Sequence, residues 1–308
     1  MSGIGVVLNP FSKKYKKNPG KLEHMAFIIG DKASCRPTED LDDLYRVVEA
    51  FKSREIDIVA ISGGDGTIHC TLSAFLKIYG EKPLPKVTLL RGGTLNTIAA
   101  TLGIRGSTEQ LMSELLVKYH EDKNFEIRKL RLTKINESYG CIFGMGVIYN
   151  FMEEYYKNPE VNPFIAGKTL VASLLSGVVQ GKTIKRMFKR FDADVFVDGV
   201  KWPFANYSAL FTGSIRQLGL EFNVFRHMLT QNEKICAMGI SANAGDLMPY
   251  LLNLREGKAS GSPDVLDAAV DKMEIYLKEP LPYTIDGDML PAIDKFIITA
   301  GPEVSVLV

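Results

Sequence analysis

One short segment constrains the fold of this chain more than any other, namely Ser62-Gly63-Gly64-Asp65-Gly66-Thr67. It follows Ile56–Ile61, which is almost entirely apolar, and it precedes apolar residues at helical spacing from Ile68 to Tyr79. The apolar run before the glycines is typical of a strand that helices cover on both faces. The spacing of apolar residues after the glycines predicts a helix. The glycines therefore lie in a strand-to-helix turn.

A second turn of this kind, Arg91-Gly92-Gly93-Thr94-Leu95-Asn96, follows the short apolar strand Val87–Leu90. Glycine lets a ligand approach the backbone, and a helix start presents unpaired N–H groups to an anion. Ligands of open α/β sheets bind outside the carboxyl ends of the strands. We therefore predict that both turns border one crevice for nucleotide phosphates, although glycine-rich turns also occur without any ligand.

The remainder of the chain indicates two domains, which a length of 308 residues allows. Strand-like and helix-like runs alternate in the first part, whereas short strands and the hairpin turn Asp198-Gly199 dominate the second. We predict an α/β domain with a parallel sheet over residues 1–127 and an antiparallel β-sandwich domain over residues 128–308. Phe204–Phe211 is expected to form one strand, and Val304–Val308 to return to the first domain.

Composition excludes several classes of protein. The chain has a net charge of only +1, whereas a nucleic-acid-binding domain usually has a clear excess of basic residues. Nucleic acid is therefore not expected as a partner. The four cysteines form no CxxC pair, which indicates neither a zinc site nor a disulfide framework and favours the cytoplasm. No apolar run reaches the ~18 residues of a membrane-spanning helix.

The two glycine turns together with the late triplet Asp286-Gly287-Asp288 resemble the catalytic domain of diacylglycerol, sphingosine and ceramide kinases. Asn9-Pro10 with Ser12 is similar to the opening motif of that family. The resemblance implies an ATP-dependent lipid kinase that uses Mg²⁺ and has its nucleotide between an α/β domain and a β-sandwich domain. The nucleotide-binding residues that it implies are Thr38, Gly63, Gly64, Asp65, Gly66, Thr67, Gly93, Thr94 and Asn96.

Asp288 is the predicted general base. A hydroxyl must lose its proton as it attacks the γ-phosphate, and a carboxylate within hydrogen-bond reach accepts that proton. The family usually has Glu at this position, so the carboxylate of Asp288 is one methylene shorter and Asp286 is kept as a second candidate. The alternative is that Asp286-Gly287 is only a hairpin turn, a common use of the Asp-Gly pair.

Asp65 is predicted beside the phosphates, where its carboxylate would hold Mg²⁺; the alternative is that it caps the helix that follows. The chain departs from the family at Thr97, where an Asp usually follows Asn96, and at Cys70, where Glu is frequent. Two other functions therefore stay open: an NAD kinase, which shares the GGDGT run, and a lipid- or nucleotide-binding protein without activity.

The expected partners are a lipid substrate and a membrane surface, and a homodimer is kept as an option. Between Phe164 and Arg190, apolar positions are followed by a basic cluster, as in a helix that lies in a membrane interface. The alternative is a core-packed helix with a solvated basic end. A second basic run, Lys13–Lys17, is expected to form a flexible loop. The sequence does not choose between diacylglycerol, a sphingoid base, ceramide and other lipid alcohols.

Overall fold

The computed structural model describes residues 3–93, 96–157 and 181–308, and the chain divides into two compact units. The N-terminal unit comprises the chain up to Leu130 together with Glu303–Val308, and the C-terminal unit comprises Arg131–Pro302. Each unit has a hydrophobic core of its own. The assignment of the nucleotide to one unit and of the lipid to the other stays a prediction.

The N-terminal unit is built on a parallel sheet. Its strands are β1 (Ile4–Leu8), β2 (Ser34–Pro37), β3 (Ile58–Ser62) and β4 (Lys86–Leu89), in the order β4-β3-β1-β2. The end of the last strand of the chain, β15 (Asp288–Leu307), pairs in parallel with β4. The helices are α1 (Lys13–Lys17), α2 (Gly20–Ile29), α3 (Leu41–Ser53), α4 (Asp65–Tyr79), α5 (Thr97–Thr101) and α6 (Thr108–His120).

The register of this sheet brings its carboxyl ends to one edge. Leu8 at the end of β1 lies opposite Ser62 of β3 on one side and Pro37 of β2 on the other. Ile61 of β3 lies opposite Leu89 of β4. The segments that leave β1, β2, β3 and β4 therefore start from the same edge, and both glycine turns are among them. Strands β1 and β3 are buried at every position, as expected for strands with both faces covered.

The C-terminal unit is antiparallel. Its strands are β5 (Ile127–Ile135), β6 (Ser138–Gly140), β7 (Ile142–Gly146), β8 (Phe191–Val197), β9 (Val200–Lys201), β10 (Asn206–Tyr207), β11 (Ala209–Gly213), β12 (Ile235–Ile240), β13 (Val265–Val270), β14 (Lys272–Ile285) and β15. They follow the path β13-β12-β11-β7-β14-β15, and β8 also pairs with β14. The helices are α7 (Val147–Lys157), α8 (Lys182–Met187), α9 (Ala244–Leu247) and α10 (Leu251–Glu256), with short 3-10 helices at Arg226–Leu229 and Met248–Tyr250.

One apolar core holds the strands of this unit together. Phe143 of β7 packs its ring against Phe296 of β15, with 5.0 Å between the ring centroids, and both side chains are fully buried. Tyr207 of β10 and Ile275 of β14 are buried in the same core. Strands far apart in the sequence thus share one interior, as in a β-sandwich.

The predicted fold class, an α/β domain with a parallel sheet followed by an antiparallel β domain, is confirmed. The strand predicted at Phe204–Phe211 is present, but it is divided into β10 and β11 at Ser208. The hydroxyl of Ser208 donates to the carbonyl of Ala242 at 2.7 Å, and its carbonyl accepts the N–H of Val147. These bonds turn the chain so that β10 pairs with β8 whereas β11 pairs with β7.

The flexible loop predicted at Lys13–Lys17 is wrong, because this segment forms helix α1. Tyr15 anchors it: the side chain is almost fully buried, and its hydroxyl lies 2.7 Å from the Oγ of Ser62. Lys14 forms an ion pair with Glu109 of α6 at 2.8 Å. The buried ring of Tyr15 and the ion pair of Lys14 therefore hold this basic segment in place as a helix. Over the described residues, every helix is too short or too polar to cross a membrane.

Candidate functional site

The first glycine turn joins β3 to α4. Gly64 is the N-cap residue of α4, so Gly66 and Thr67 lie in the first helical turn. The first N–H groups of a helix have no partner within it and attract anions. A Cβ on Gly63 would lie 2.3 Å from the Cβ of Thr67, so only glycine fits there. Gly63 therefore packs closely against the first turn of α4.

The second glycine turn joins β4 to α5 and is closed by an amide side chain. The Oδ1 of Asn96 accepts the N–H of Gly93 at 3.0 Å, and the Nδ2 of Asn96 donates to the carbonyl of Gly93 at 3.0 Å. Asn96 itself has a φ of 49°, a left-handed conformation that Asn tolerates better than most residues. Thr94, which is also predicted to contact the nucleotide, lies outside the described residues.

The two turns contact each other through their glycines. A Cβ on Gly93 would lie 2.4 Å from the Cα of Gly64, and a Cβ on Gly64 would lie 3.2 Å from the Cα of Gly93. A Cβ on Gly92 would similarly meet the backbone of Gly63 at 2.9 Å. Any larger residue would push the turns apart. The contact gives the paired glycines of both turns a structural role that could not be predicted from the sequence.

Asp65 connects the same two turns by hydrogen bonds. Its Oδ2 accepts the N–H of Thr97 at 2.8 Å, and its Oδ1 accepts the N–H of Ile98 at 3.3 Å. The carboxylate of Asp65 therefore caps α5. The alternative predicted from the sequence was that it caps α4, the helix that begins with Asp65. Because Asp65 and Thr97 are far apart in the sequence, no local pattern could have predicted this bond.

Two other predicted residues lie at the same edge of the sheet. Asn9, directly after β1, donates from its Nδ2 to the Oγ1 of Thr67 at 2.9 Å. Thr38, directly after β2, donates its N–H to the carbonyl of Leu8 at 3.0 Å and is nearly buried. Asn9 thus contacts the first glycine turn, and Thr38 is attached to the end of β1.

Arg91 beside the second turn and Lys14 of α1 are both held by hydrogen bonds to other segments. Arg91 donates from its guanidinium to the carbonyl of Gly106 at 3.3 Å. The Lys14 ammonium contacts the carboxylate of Glu109 near the start of α6. Burial of Glu109 acts to raise its pKa, but the hydrogen bond and charge of Lys14 together with backbone bonding lower the pKa to about 2. Glu109 thus stays ionised at neutral pH.

The predicted bases belong to the C-terminal unit, at the hairpin that joins β14 to β15. Asp286 and Gly287 have φ values of 49° and 87°, and Ile285 pairs with Asp288, so the two residues form the tight turn itself. Both left-handed values are typical of the two-residue turn that Asp-Gly favours. The prediction that Asp286-Gly287 forms a hairpin turn is therefore confirmed.

The two carboxylates of the hairpin have different surroundings. Asp286 is buried, and its carboxylate accepts the N–H of Cys141 at 2.9 Å and the N–H of Ile142 at 2.8 Å. Asp288 is partly exposed, as the first residue of β15. Tyr156 of α7 donates to the carbonyl of Gly287 at 3.4 Å, a contact for which the sequence gave no signal. Asp286 thus attaches the hairpin to the start of β7, and Asp288 is the first residue after the turn.

Part of the segment from Phe164 to Arg190, which was predicted to contact a membrane, lies outside the described residues, including the apolar positions on which that prediction rests, Leu170, Leu174, Leu175, Val178 and Val179. In the described part, Arg186 of α8 pairs with Glu154 of α7 at 2.7 Å. Lys189 and Arg190 are exposed.

Comparison with known proteins gives a consistent likeness. Residues 3–125 match the model of the diacylglycerol kinase catalytic domain. A Streptococcus pneumoniae protein named "Putative lipid kinase" is 29% identical over 145 residues, which are 46% of this chain and 46% of that protein. A Staphylococcus aureus protein also named a putative lipid kinase is 26% identical over 120 residues, 37% of this chain and 36% of that protein. The alignments thus span less than half the length of these relatives.

The likeness in fold is more extensive. A crystal structure of a "putative diacylglycerol kinase" from Bacillus anthracis matches with a TM-score of 0.74 at 14% identity, over 99% of this chain and 96% of that one. A second structure from the same organism, described as a diacylglycerol kinase, matches with a TM-score of 0.68 at 15% identity, again over 99% and 96%. At such identities the match shows a shared fold.

Proposed function

Because residues 3–125 belong to the diacylglycerol kinase catalytic domain family, we propose that this chain transfers the γ-phosphate of ATP to a lipid hydroxyl. The acceptor is an alcohol of the diacylglycerol, sphingoid or ceramide class, met at a membrane surface by an enzyme of the cytoplasm. The observation that carries the proposal is the packing of two glycine turns against each other at the carboxyl edge of a parallel sheet.

The turns suit a chain of phosphates for a steric and an electrostatic reason. Gly64 and Gly66 carry no side chain, so phosphate oxygens would reach the N–H groups at the start of α4 directly. The start of α4 adds the positive end of a helix dipole. Asn9 and Asn96 hold Thr67 and the second turn in place, so little rearrangement accompanies binding. Fixed donors of this kind stabilise charge that builds up on a transferring phosphoryl group.

The residues present are compatible with Mg²⁺. This ion is usually bound by one or two carboxylates together with substrate phosphates and water. Asp65 offers one carboxylate beside the phosphate turns, and its bonds to the N–H groups of Thr97 and Ile98 fix its orientation. Asp65 would therefore hold the ion, whose charge neutralises the phosphates.

Asp288 is the better of the two candidate bases. The Asp286 carboxylate is buried and accepts N–H bonds from Cys141 and Ile142, so it has little capacity left for a substrate hydroxyl. Asp288 follows the turn on a strand that Asp286 fixes, and it is partly exposed. We assign proton abstraction to Asp288, and the positioning of its hairpin to Asp286.

A nucleotide-binding protein without activity is the second candidate. Thr97 favours it, because the carboxylate usual in the family at this position is missing and the contact of Thr97 with Asp65 uses its backbone N–H. An NAD kinase is the third alternative, and it rests on the shared GGDGT run alone.

One assay separates the three. The purified protein is incubated with γ-labelled ATP and Mg²⁺ and with diacylglycerol, a sphingoid base, ceramide or NAD, the lipids being supplied in mixed micelles. Glycerol serves as a soluble hydroxyl control. We expect label in one or more of the lipids and none in glycerol. Label in NAD alone would identify an NAD kinase, whereas ATP binding without labelled product would identify the inactive binding protein.

A further inference from the structure

A cavity of about 460 Å³ lies within the C-terminal unit, and none of the predicted nucleotide-binding or base residues lines it. Its volume falls within the range of about 300–1,000 Å³ that is usual for small-molecule sites. Basic side chains and apolar ones share its wall. Those that matter here are Arg186, Lys189, Arg190, Phe191, Lys278 and Leu281.

Positive charge predominates in this wall. Four basic residues line the cavity against two acidic ones, Asp192 and Glu279, whereas the whole chain has a net charge of only +1. Lys278 is paired with Asp192 at 3.4 Å. Arg186 pairs with Glu154, which is not among the lining residues, at 2.7 Å.

Lys189 and Arg190 are the two cations of the wall that have no acidic partner. Over residues 3–93, 96–157 and 181–308, neither forms an ion pair with a carboxylate, and both side chains are exposed. Adjacent cations repel each other unless an anion lies between or beside them. Their charge is therefore available to a ligand of opposite sign.

The backbone around these two cations is held in place. Asn150 of α7 donates from its Nδ2 to the carbonyl of Met187, the last residue of α8, at 2.9 Å. Phe191 begins β8 directly after Arg190 and is partly buried. Lys189 and Arg190 thus lie in a link of few residues between a helix that α7 fastens and a strand of the sheet. Such a link places the backbone of both residues at the wall of the cavity.

The apolar part of the wall indicates what accompanies the anion. Phe191, Leu281 and Pro282 border the same cavity as the cations. An inorganic ion alone would leave this surface in contact with water, whereas an amphiphilic molecule covers it and gains the corresponding free energy. Arginine and lysine together are suited to phosphate oxygens, arginine by its planar donors and lysine as a point charge.

We propose that this cavity binds a phosphate ester, with Lys189 and Arg190 as its principal cationic contacts and Phe191 and Leu281 against the adjoining carbon atoms. The phosphate belongs either to a lipid headgroup or to a small soluble ester. The site is built from the C-terminal unit alone, and its occupation requires no phosphoryl transfer. It is therefore a binding property additional to the proposed kinase activity.

Binding to vesicles tests the proposal on the full chain. Phosphatidylcholine vesicles are prepared with phosphatidic acid or with oleic acid at matched surface charge, and glycerol 3-phosphate is added as a soluble competitor. The double variant Lys189→Ala/Arg190→Ala is compared with the control Lys201→Ala/Lys258→Ala, which removes two exposed cations elsewhere in the same unit. The conservative exchange Lys189→Arg/Arg190→Lys keeps both charges, and thermal unfolding verifies that each variant is folded.

We expect the site variant to bind phosphatidic acid vesicles roughly thirtyfold more weakly, as the loss of two basic contacts predicts. The control and the conservative exchange should bind like the wild type. If glycerol 3-phosphate inhibits vesicle binding by the wild type but not by the site variant, the ligand is a soluble ester. If it does not inhibit vesicle binding by the wild type, the ligand is a lipid headgroup. Equal binding to oleic acid vesicles, or unchanged binding by the site variant, would overturn the proposal. Neither result depends on kinase activity.

Discussion

Two hairpins of the C-terminal unit have the same turn but different surroundings. Asp198-Gly199 joins β8 to β9 and Asp286-Gly287 joins β14 to β15, with φ values of 48° and 80° in the first and 49° and 87° in the second. Each aspartate carboxylate accepts two backbone N–H groups of another segment. Asp198 binds those of Asp271 and Lys272, and Asp286 binds those of Cys141 and Ile142.

The difference between the hairpins lies in burial and in the residue that follows the turn. Asp198 is exposed and precedes Val200, whereas Asp286 is buried and precedes Asp288. The same dipeptide therefore makes a solvated surface turn in one place, and in the other a rigid support for a carboxylate. The turn is the same in both hairpins; its packing and the residue that follows it differ.

The largest effect is expected from Asp288→Asn. If Asp288 accepts the proton of the lipid hydroxyl, kcat should fall by roughly 10²–10⁴-fold, because an amide cannot act as a base. KM for ATP and the unfolding midpoint should stay close to those of the wild type. The matched control is Asp294→Asn, which removes the same charge from an exposed position further along β15. Full activity of the Asp288 variant would remove the functional distinction between the hairpins.

The next effect is on stability. Asp286→Ala leaves the buried N–H groups of Cys141 and Ile142 without an acceptor, and we expect it to lower the free energy of unfolding by about 3 kcal/mol. Asp198→Ala should cost about 1 kcal/mol, because water replaces its exposed carboxylate. Both positions have the same left-handed φ, so the strain of alanine cancels in the comparison.

Trp202, the single tryptophan of the chain, is buried in the C-terminal unit and makes urea unfolding by fluorescence a direct measurement for both variants. Equal losses of stability would mean that burial of the Asp286 carboxylate contributes nothing.

What could be predicted from the sequence follows the same division between local and distant contacts. The Asp198-Gly199 turn, the apolar strand before Gly63 and the helical spacing after Thr67 are local signals, and the corresponding elements are present. The bonds that give the aspartates their different surroundings are not local. Asp286 and Cys141 are 145 positions apart, and Asp65 and Thr97 are 32 apart. Residue types predicted the turns, whereas these contacts depend on how distant strands and helices pack.

The smallest effect concerns the glycines of the same two turns. Alanine at Gly199 or Gly287 must adopt a positive φ, which costs roughly 1 kcal/mol in either hairpin. A Cβ on Gly199 would meet no atom within 4 Å, whereas a Cβ on Gly287 would lie 3.2 Å from the Cε of Met152. Gly287→Ala should therefore have a slightly lower free energy of unfolding than Gly199→Ala, and the same urea unfolding experiment measures the difference. Any decrease in kcat should be confined to Gly287→Ala, because this turn, and not the one at Gly199, directly precedes Asp288. Equal kcat values for the two variants would show that the proposed reaction does not depend on the position of this hairpin.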